Sequence, residues 1–330
     1  MDWTQILAAG LLAMIGPVTA GYALSAIGLN LQFGYAGLLN FGHVAFMLVG
    51  AYGAAITVEF GGPLWLGVIV GIAAAVLLGL LLGIPTLRLR ADYFAITSIA
   101  AAEVLRLMVR SSLAEPLTGG VFGIQGFAGD FHRLNPFPAT ELYGIGQFVM
   151  TGRTLWVVVV GWALVLLASL FMARLIRSPW GRVLKAIRED EDATRSLGKN
   201  VFAYKLQALM IGGGIASLAG ILFALEQQSI HPTGFEPRVT FILFVMVILG
   251  GAGSIWGAVL GTAVFNFLFY ATDTLMARLQ ANVDWIGAIL SPAEAGLIKY
   301  ILVGIALMLL IVFRPQGLLR SKDEGPADAA

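Results

Sequence analysis

The 330 residues are 58% hydrophobic and only 12% charged, with a mean hydropathy of +0.87; a water-soluble domain carries roughly 25% charge, so this chain needs lipid as its solvent. Its net charge of +1 gives no sign of a nucleic-acid partner, and the absence of Cys excludes disulfide frameworks, thiolate metal sites and cysteine catalysis.

The first apolar stretch, about 6–31, follows Met1-Asp2-Trp3. It lacks a basic flank, so it is expected to be a retained membrane helix and not a signal peptide. Across its end, Gly28-Leu29-Asn30-Leu31-Gln32-Phe33-Gly34-Tyr35-Ala36-Gly37-Leu38-Leu39-Asn40-Phe41-Gly42-His43 mixes glycine, amides and an imidazole with apolar residues. Amides in lipid need partners, and interrupted helices at a transporter midplane supply them. Two readings of Asn40 and His43 stand here: pathway groups, or plain interhelical hydrogen bonders.

Further spans are expected at about 36–58, 63–84 and 91–110, each close to the roughly 20 residues that cross a bilayer. In the last of these Glu103, Arg106 and Arg110 share a face at i, i+3 and i+7. A lone charge at the bilayer centre costs roughly 3 kcal/mol, so a Glu103–Arg106 pair is expected. An outer loop at about 111–152 contains Leu117-Thr118-Gly119-Gly120-Val121-Phe122-Gly123-Ile124. Such a loop suits contact with a substrate-delivering protein, or a cover for the pore.

After a span at 153–176 comes the most informative segment, about 177–203. Trp180, Val183, Leu184 and Ile187 make one amphipathic stripe, with Arg182, Lys185 and Arg188 on the other faces. Asp190 or Asp192 is placed to N-cap a second short helix that ends at Leu197, with Gly198 as its C′ residue. The stripe suits an interfacial helix on anionic lipid. The acidic run Glu189-Asp190-Glu191-Asp192 and the tight capped layout favour a protein partner instead, such as a nucleotide-binding subunit.

A span at 204–227 ends in Glu226-Gln227-Gln228. The stretch 239–271 is interrupted by Gly250-Gly251-Ala252-Gly253-Ser254 and is expected to be two helices meeting at a glycine turn, spanning or re-entrant. Gly253, Gly257 and Gly261 form a close-packing series, and their likeness to 37–50 hints at an internal repeat. A last span at 296–313 precedes a disordered tail, 321–330.

Of the 20 basic residues, 13 collect in 88–90, 174–205 and 314–322. With these in the cytoplasm the chain makes about nine crossings, N-terminus out and C-terminus in. The expected fold is an all-α polytopic membrane protein of eight to nine transmembrane helices, some broken or re-entrant. One permease domain, 1–320, carries a cytoplasmic two-helix coupling loop.

Gly198-Lys199-Asn200 mimics the end of a phosphate-binding loop, but Ala193 stands at the first glycine position and Asn200 replaces Ser/Thr. The three histidines are scattered, and no nucleophile elbow occurs. Transport, with no metal, no bound cofactor and no catalytic residue, is the expected class.

The residues resemble the LivM-type permease subunit of bacterial ATP-binding-cassette importers for branched-chain amino acids. The resemblance runs through Gly34-Tyr35-Ala36-Gly37-Leu38-Leu39 with Gly42-His43 and Gly50-Ala51-Tyr52, then Leu87-Arg88-Leu89-Arg90-Ala91-Asp92-Tyr93-Phe94-Ala95-Ile96, then Leu117-Thr118-Gly119-Gly120. It continues through Ser178-Pro179-Trp180-Gly181-Arg182 to Arg188-Glu189-Asp190-Glu191, then Leu249-Gly250-Gly251-Ala252-Gly253-Ser254 with Trp256-Gly257, and Phe313-Arg314-Pro315-Gln316-Gly317-Leu318. Asn40-Phe41 stands where Ser-Leu is common in the family, and Ala91 where Gly is common.

The resemblance implies a multi-pass protein of the bacterial inner membrane. Its expected partners are a homologous LivH-type permease, two ATP-binding subunits that carry ATP and Mg, and a periplasmic substrate-binding protein. It also implies that Trp180, Gly181, Arg182, Arg188, Glu189 and Asp192 couple to the ATPase. Tyr35, Asn40, His43, Tyr93 and Thr97 are the candidates for the substrate pathway. Leucine, isoleucine and valine are the default cargo, with other amino acids, urea or short amides as alternatives. The rival class is an ATP-independent channel for small polar solutes.

Overall fold

The computed structural model describes residues 3–146 and 148–282, then 301, 302, 304, 305, 308, 309, 312, 313 and 316–319. Helix α1 (Trp3–Ile15) and α2 (Pro17–Asn30) replace the expected first span with a pair bent by 46°. Pro17 at the start of α2 lacks the N–H that would continue α1, so the chain turns at Gly16. A π-helical turn (Leu31–Tyr35) and an irregular stretch lead to α3 (Val44–Glu59), α4 (Leu64–Thr86) and α5 (Ala91–Arg110). In the segment expected to be outer the described residues form α6 (Glu115–Thr118), β1 (Ile124–Gln125), α7 (Gly129–Arg133) and a hairpin of β2 (Leu142–Ile145) with β3 (Phe148–Thr151). Then come α8 (Gly152–Arg177), α9 (Pro179–Glu189), α10 (Glu191–Ser196), α11 (Val201–Gln227), β4 (Ser229–Ile230), α12 (Pro237–Gly250) and α13 (Ile255–Asn282). Strand β4 pairs antiparallel with β1, pinning the outer segment to the end of α11.

Among the described residues α4, α8, α11 and α13 are long and apolar enough to cross a membrane, and the bent α1–α2 pair brings the number to five. This is fewer than the eight or nine crossings expected. Helices α3 and α12 have only 16 and 14 residues, and the continuous α5 carries the charges of Glu103, Arg106 and Arg110. The expected glycine turn in 239–271 is present between α12 and α13. In the expected last span the described residues from 301 to 313 are helical. The rest of it, Arg314, Arg320, Lys322 and the tail 321–330 lie outside the described residues.

Helix α11 is the central mast and packs on α2, α3 and α4. Lipid gives no hydrophobic drive between helices, so contact has to come from close backbone approach. Helix α4 shows how this is reached. Gly67, Gly71, Ala75, Gly79 and Gly83 recur every fourth residue and are its buried face, with Leu77, Leu81 and Ile84 outward. The α3–α11 crossing is tighter still, because a Cβ on Gly220 would lie 1.9 Å from the Met47 carbonyl oxygen.

Gly220→Ala is therefore expected to lower stability by about 1–3 kcal/mol through overpacking. Gly214→Ala, whose Cβ meets nothing nearer than 3.8 Å, is expected to be neutral or stabilising. Thermal midpoints of the two variants in detergent, against the parent chain, check this; equal midpoints would refute the crossing as a tight one.

Candidate functional site

The π turn ends α2 by widening its last bonds: the Ala36 N–H donates to Leu31 O at 3.1 Å and that of Leu38 to Gln32 O at 2.8 Å. The chain then reverses through Gly37, whose φ of +68° suits glycine. Gln32, Asn40 and His43 project from this broken stretch into the protein and are fully buried. Asn40 accepts from the Gly42 N–H through Oδ1 (3.1 Å), which turns its Nδ2 toward Gln32 Oε1 (2.9 Å). Gln32 in turn donates from Nε2 to the Leu209 carbonyl on α11 (3.1 Å). His43 spans the network, with Nδ1 3.0 Å from Gln32 Oε1 and Nε2 3.1 Å from the Ser25 carbonyl. Two backbone anchors thus fix both amides, and the imidazole bridges them to α2.

A second clamp lies at the other glycine break. Asn30 Oδ1 accepts from the Gly253 N–H at 2.8 Å, while its Nδ2 donates to the Ser254 carbonyl at 3.0 Å. One amide so satisfies the Gly253 N–H, which would cost about 1–3 kcal/mol if left unpaired, and adds a second donor to the Ser254 carbonyl that already accepts from the Ala258 N–H at the start of α13. Sequence reasoning saw the amides as a group needing partners but singled out neither Asn30 nor Gln32. Their signal is an amide inside an apolar span.

The two-helix loop follows its expected chemistry closely. Asp190 caps α10 by accepting from the Ala193 N–H at 2.9 Å, and Gly198 has a φ of +77°. Its apolar stripe, expected to dock on a partner or on lipid, does neither: Gly181, Leu184 and Ile187 are buried in the chain's own core, with Trp180 and Val183 half-buried. The stripe is consumed because α9 packs back on α8, α11 and the π turn. Trp180 donates from its indole N–H to Gln207 Oε1 at 2.7 Å. A Cβ on Gly181 would strike the Ile176 carbonyl oxygen at 2.2 Å, so α9 meets the end of α8 by backbone.

What remains outside is charge. Arg182, Glu189 and Asp192 are exposed, Asp192 in an ion pair with Arg195 at 2.6 Å. Arg188 is exposed as a residue as well, but its head group is engaged. Its guanidinium turns inward and donates to the Gly34 carbonyl in the π turn at 2.5 Å. It also lies against the other break, since a Cβ on Gly253 would be 3.1 Å from its Nη1. Arg188 therefore joins the charged loop to both broken segments, a role its place among the polar faces of α9 did not reveal.

The five pathway candidates do not converge. Asn40 and His43 share the buried network, and Tyr35 is buried at the end of the π turn. Tyr93, 61% exposed, and the half-buried Thr97 lie a turn apart on α5. The expected pair on α5 is present and bidentate, Arg106 Nε to Glu103 Oε2 at 2.9 Å and Nη2 to Oε1 at 2.5 Å. A cavity of about 230 Å³ at the C-terminal end of α11, walled by Tyr22, Phe223, Gln227 and His231, is lined by none of the five.

Residues 11–312 match the family described as branched-chain amino acid transport system, permease component. The high-affinity branched-chain amino acid permease protein LivM of Escherichia coli K12 is 30% identical over 318 residues, 92% of this chain and 69% of its own. The probable LivM of Methanocaldococcus jannaschii is 29% identical and covers 91% of both chains. The autoinducer 2 import permease LsrC of Salmonella typhimurium is 29% identical over a shorter stretch, 38% of this chain and 37% of its own. With the family match spanning nearly its whole length, this helical membrane chain belongs to the branched-chain amino acid transport system permease component family.

Proposed function

We propose that this chain is one of two homologous permease subunits of an ATP-driven, binding-protein-dependent importer of branched-chain or similar amino acids. The observation that carries the mechanism is the Arg188 bridge from the charged loop to the glycine-broken segments. An ATP-binding subunit, which supplies ATP and Mg, docks on the exposed faces of α9 and α10, where Arg182, Glu189 and Asp192 stand. The apolar stripe of α9 is locked into α8 and α11, so a push on those charges moves the loop and the spans as one body. Arg188 passes the displacement to Gly34 and the α12–α13 turn, the points where backbone is already interrupted.

In this reading the shorter helices α3, α5 and α12 complete the crossings, with the basic clusters in the cytoplasm of a bacterial cell and the ordered outer segment facing a periplasmic binding protein. Helix α5 lines the pathway against the second permease. It is the least apolar of the long helices, and it presents Tyr93 and Thr97 on an outward face. Tyr35, Asn40 and His43 act from behind, holding the broken segment in register. Leucine, isoleucine and valine are the cargo that family membership favours. The match to a permease for autoinducer 2 leaves the solute itself to be measured.

Radiolabelled leucine uptake into proteoliposomes holding this chain with its co-purified partners tests the assignment. Uptake is expected only with ATP and an added binding protein. ATP-independent downhill flux through this chain alone, of leucine, urea or a short amide, would make it a facilitator and sink the importer.

Two substitutions test the coupling route in the same vesicles. Arg188→Ala removes a charge-assisted bond worth about 1.5–3 kcal/mol. It is expected to cut uptake at least about ten-fold, on the scale of 1.4 kcal/mol per decade, while ATP hydrolysis persists. Glu189→Arg is expected to uncouple hydrolysis from uptake without preventing assembly. Wild-type transport by either variant would remove that residue from the route.

A further inference from the structure

The largest cavity among those described, about 580 Å³, is not part of the buried network or of α9. It lies between the α4–α5 connection, the turn at 37–39 and the start of α11, at the end of the spans where basic residues collect. Five cations line it: Arg88, Arg90, Arg195, Lys199 and Lys205, against the single carboxylate of Glu191. Two of the five are already committed, because Lys205 and Arg195 both pair with Glu191, and Arg195 reaches Asp192 as well. Arg88, Arg90 and Lys199 have no ion pair among the described residues. Arg88 is nonetheless positioned, its guanidinium 5.9 Å from the centre of the Phe202 ring, a contact that leaves its N–H donors available.

Apart from Asn200 the remaining side chains of the wall are apolar, with Leu38, Leu87, Phe94 and Phe202 between the cations. A cavity with three uncommitted cations and a greasy floor selects an amphiphile with an anionic head. It is also placed for one. The outward face of α4, where Leu77, Leu81 and Ile84 are 54%, 64% and 49% exposed, ends one turn before Leu87 in the cavity wall. An acyl chain lying along α4 brings its headgroup to Arg88.

We propose that this cavity binds the phosphate headgroup of an anionic glycerophospholipid, with Arg88, Arg90 and Lys199 as its phosphate ligands. A lipid held there joins the α4–α5 connection to α10 and α11, bracing the two-helix loop beside the Arg195 ion pairs with Glu191 and Asp192. A free phosphate shares the head chemistry but makes no use of the apolar floor, so lipid is the occupant the wall favours. The proposal does not depend on the transport assignment.

Native mass spectrometry of the full chain in detergent, titrated with dioleoylphosphatidylglycerol or dioleoylphosphatidylcholine, tests it. The anionic lipid is expected to be retained at least ten-fold better. Arg88→Gln, Arg90→Gln and Lys199→Gln are each expected to lower that preference about five-fold, and the triple variant to abolish it. The charge-conserving Arg88→Lys, Arg90→Lys, Lys199→Arg variant should keep it, as should Arg174→Gln with Arg177→Gln at the end of α8. Equal retention of the two lipids would overturn the proposal, as would an unchanged triple Gln variant or loss in both triple variants alike. Inorganic phosphate displacing the lipid molecule for molecule would assign the site to a free anion and overturn the lipid.

Discussion

Asn30 holds together two places where the backbone has given up its helical hydrogen bonds, and much of the architecture follows from that clamp. In hydrocarbon a freed N–H or C=O finds no water, so an interrupted span survives only where protein supplies the missing partner. The Gly253 N–H finds its partner on the Asn30 side chain, whose amide also donates to the Ser254 carbonyl beside the Ala258 N–H. That side chain stands at the end of α2, directly before the π turn. The two breaks are thus joined in space although 223 residues separate Asn30 from Gly253. Gln32, one residue into the π turn, performs the corresponding task toward α11 through the Leu209 carbonyl.

This joining explains why a long cation can act at the same point. The Gly34 carbonyl faces outward from the π turn, and glycines at 37 and 253 leave the space that the Arg188 stem and guanidinium occupy. A Cβ at 253 would come within 3.1 Å of the Arg188 guanidinium and make it give way, whereas one at 37 would touch the stem at 3.6 Å, an ordinary contact. The glycines here serve proximity as much as turn geometry: Gly37 and Gly253 both have positive φ, and both border Arg188. Closely packed helices such as α4 and α11 do not deform continuously, so motion entering through α9 is directed to these interruptions.

Much of this was legible in the residues and some was not. The capped pair α9 and α10, with Asp190 before it and Gly198 after it, was readable because caps are local chemistry. So was the Glu103–Arg106 pair, since i, i+3 spacing brings the two groups together without help from the rest of the chain. The turn between α12 and α13 announced itself through Gly250 to Ser254. The bend at Gly16 is also written locally, as Gly-Pro, but within an apolar run whose length reads as one span. The glycine ladder of α4, from Gly67 to Gly83, is likewise visible at i, i+4 in the residues alone. What no local pattern carried was the destination of the α9 stripe. An amphipathic helix declares that it has an apolar face, and only the tertiary contacts decide that α8 and α11 cover it.

The separation of the pathway candidates has a physical cause that composition alone conceals. Asn40 and His43 look like solute ligands because they are polar within an apolar run, yet each polar atom is engaged by a neighbour: Gly42 and Gln32 for Asn40, Gln32 and Ser25 for His43. A solute reaching His43 in this state would have to displace the Gln32 and Ser25 oxygens that face its two ring nitrogens, one of which receives the single N–H of the neutral imidazole, gaining little beyond what is lost. Tyr93 on α5 carries no such cost, being open on its outward side. Polar residues in a membrane chain therefore divide by whether their hydrogen-bonding capacity is spent. In this chain the interior of the broken segment spends it on holding shape, and the outward face of α5 keeps it available.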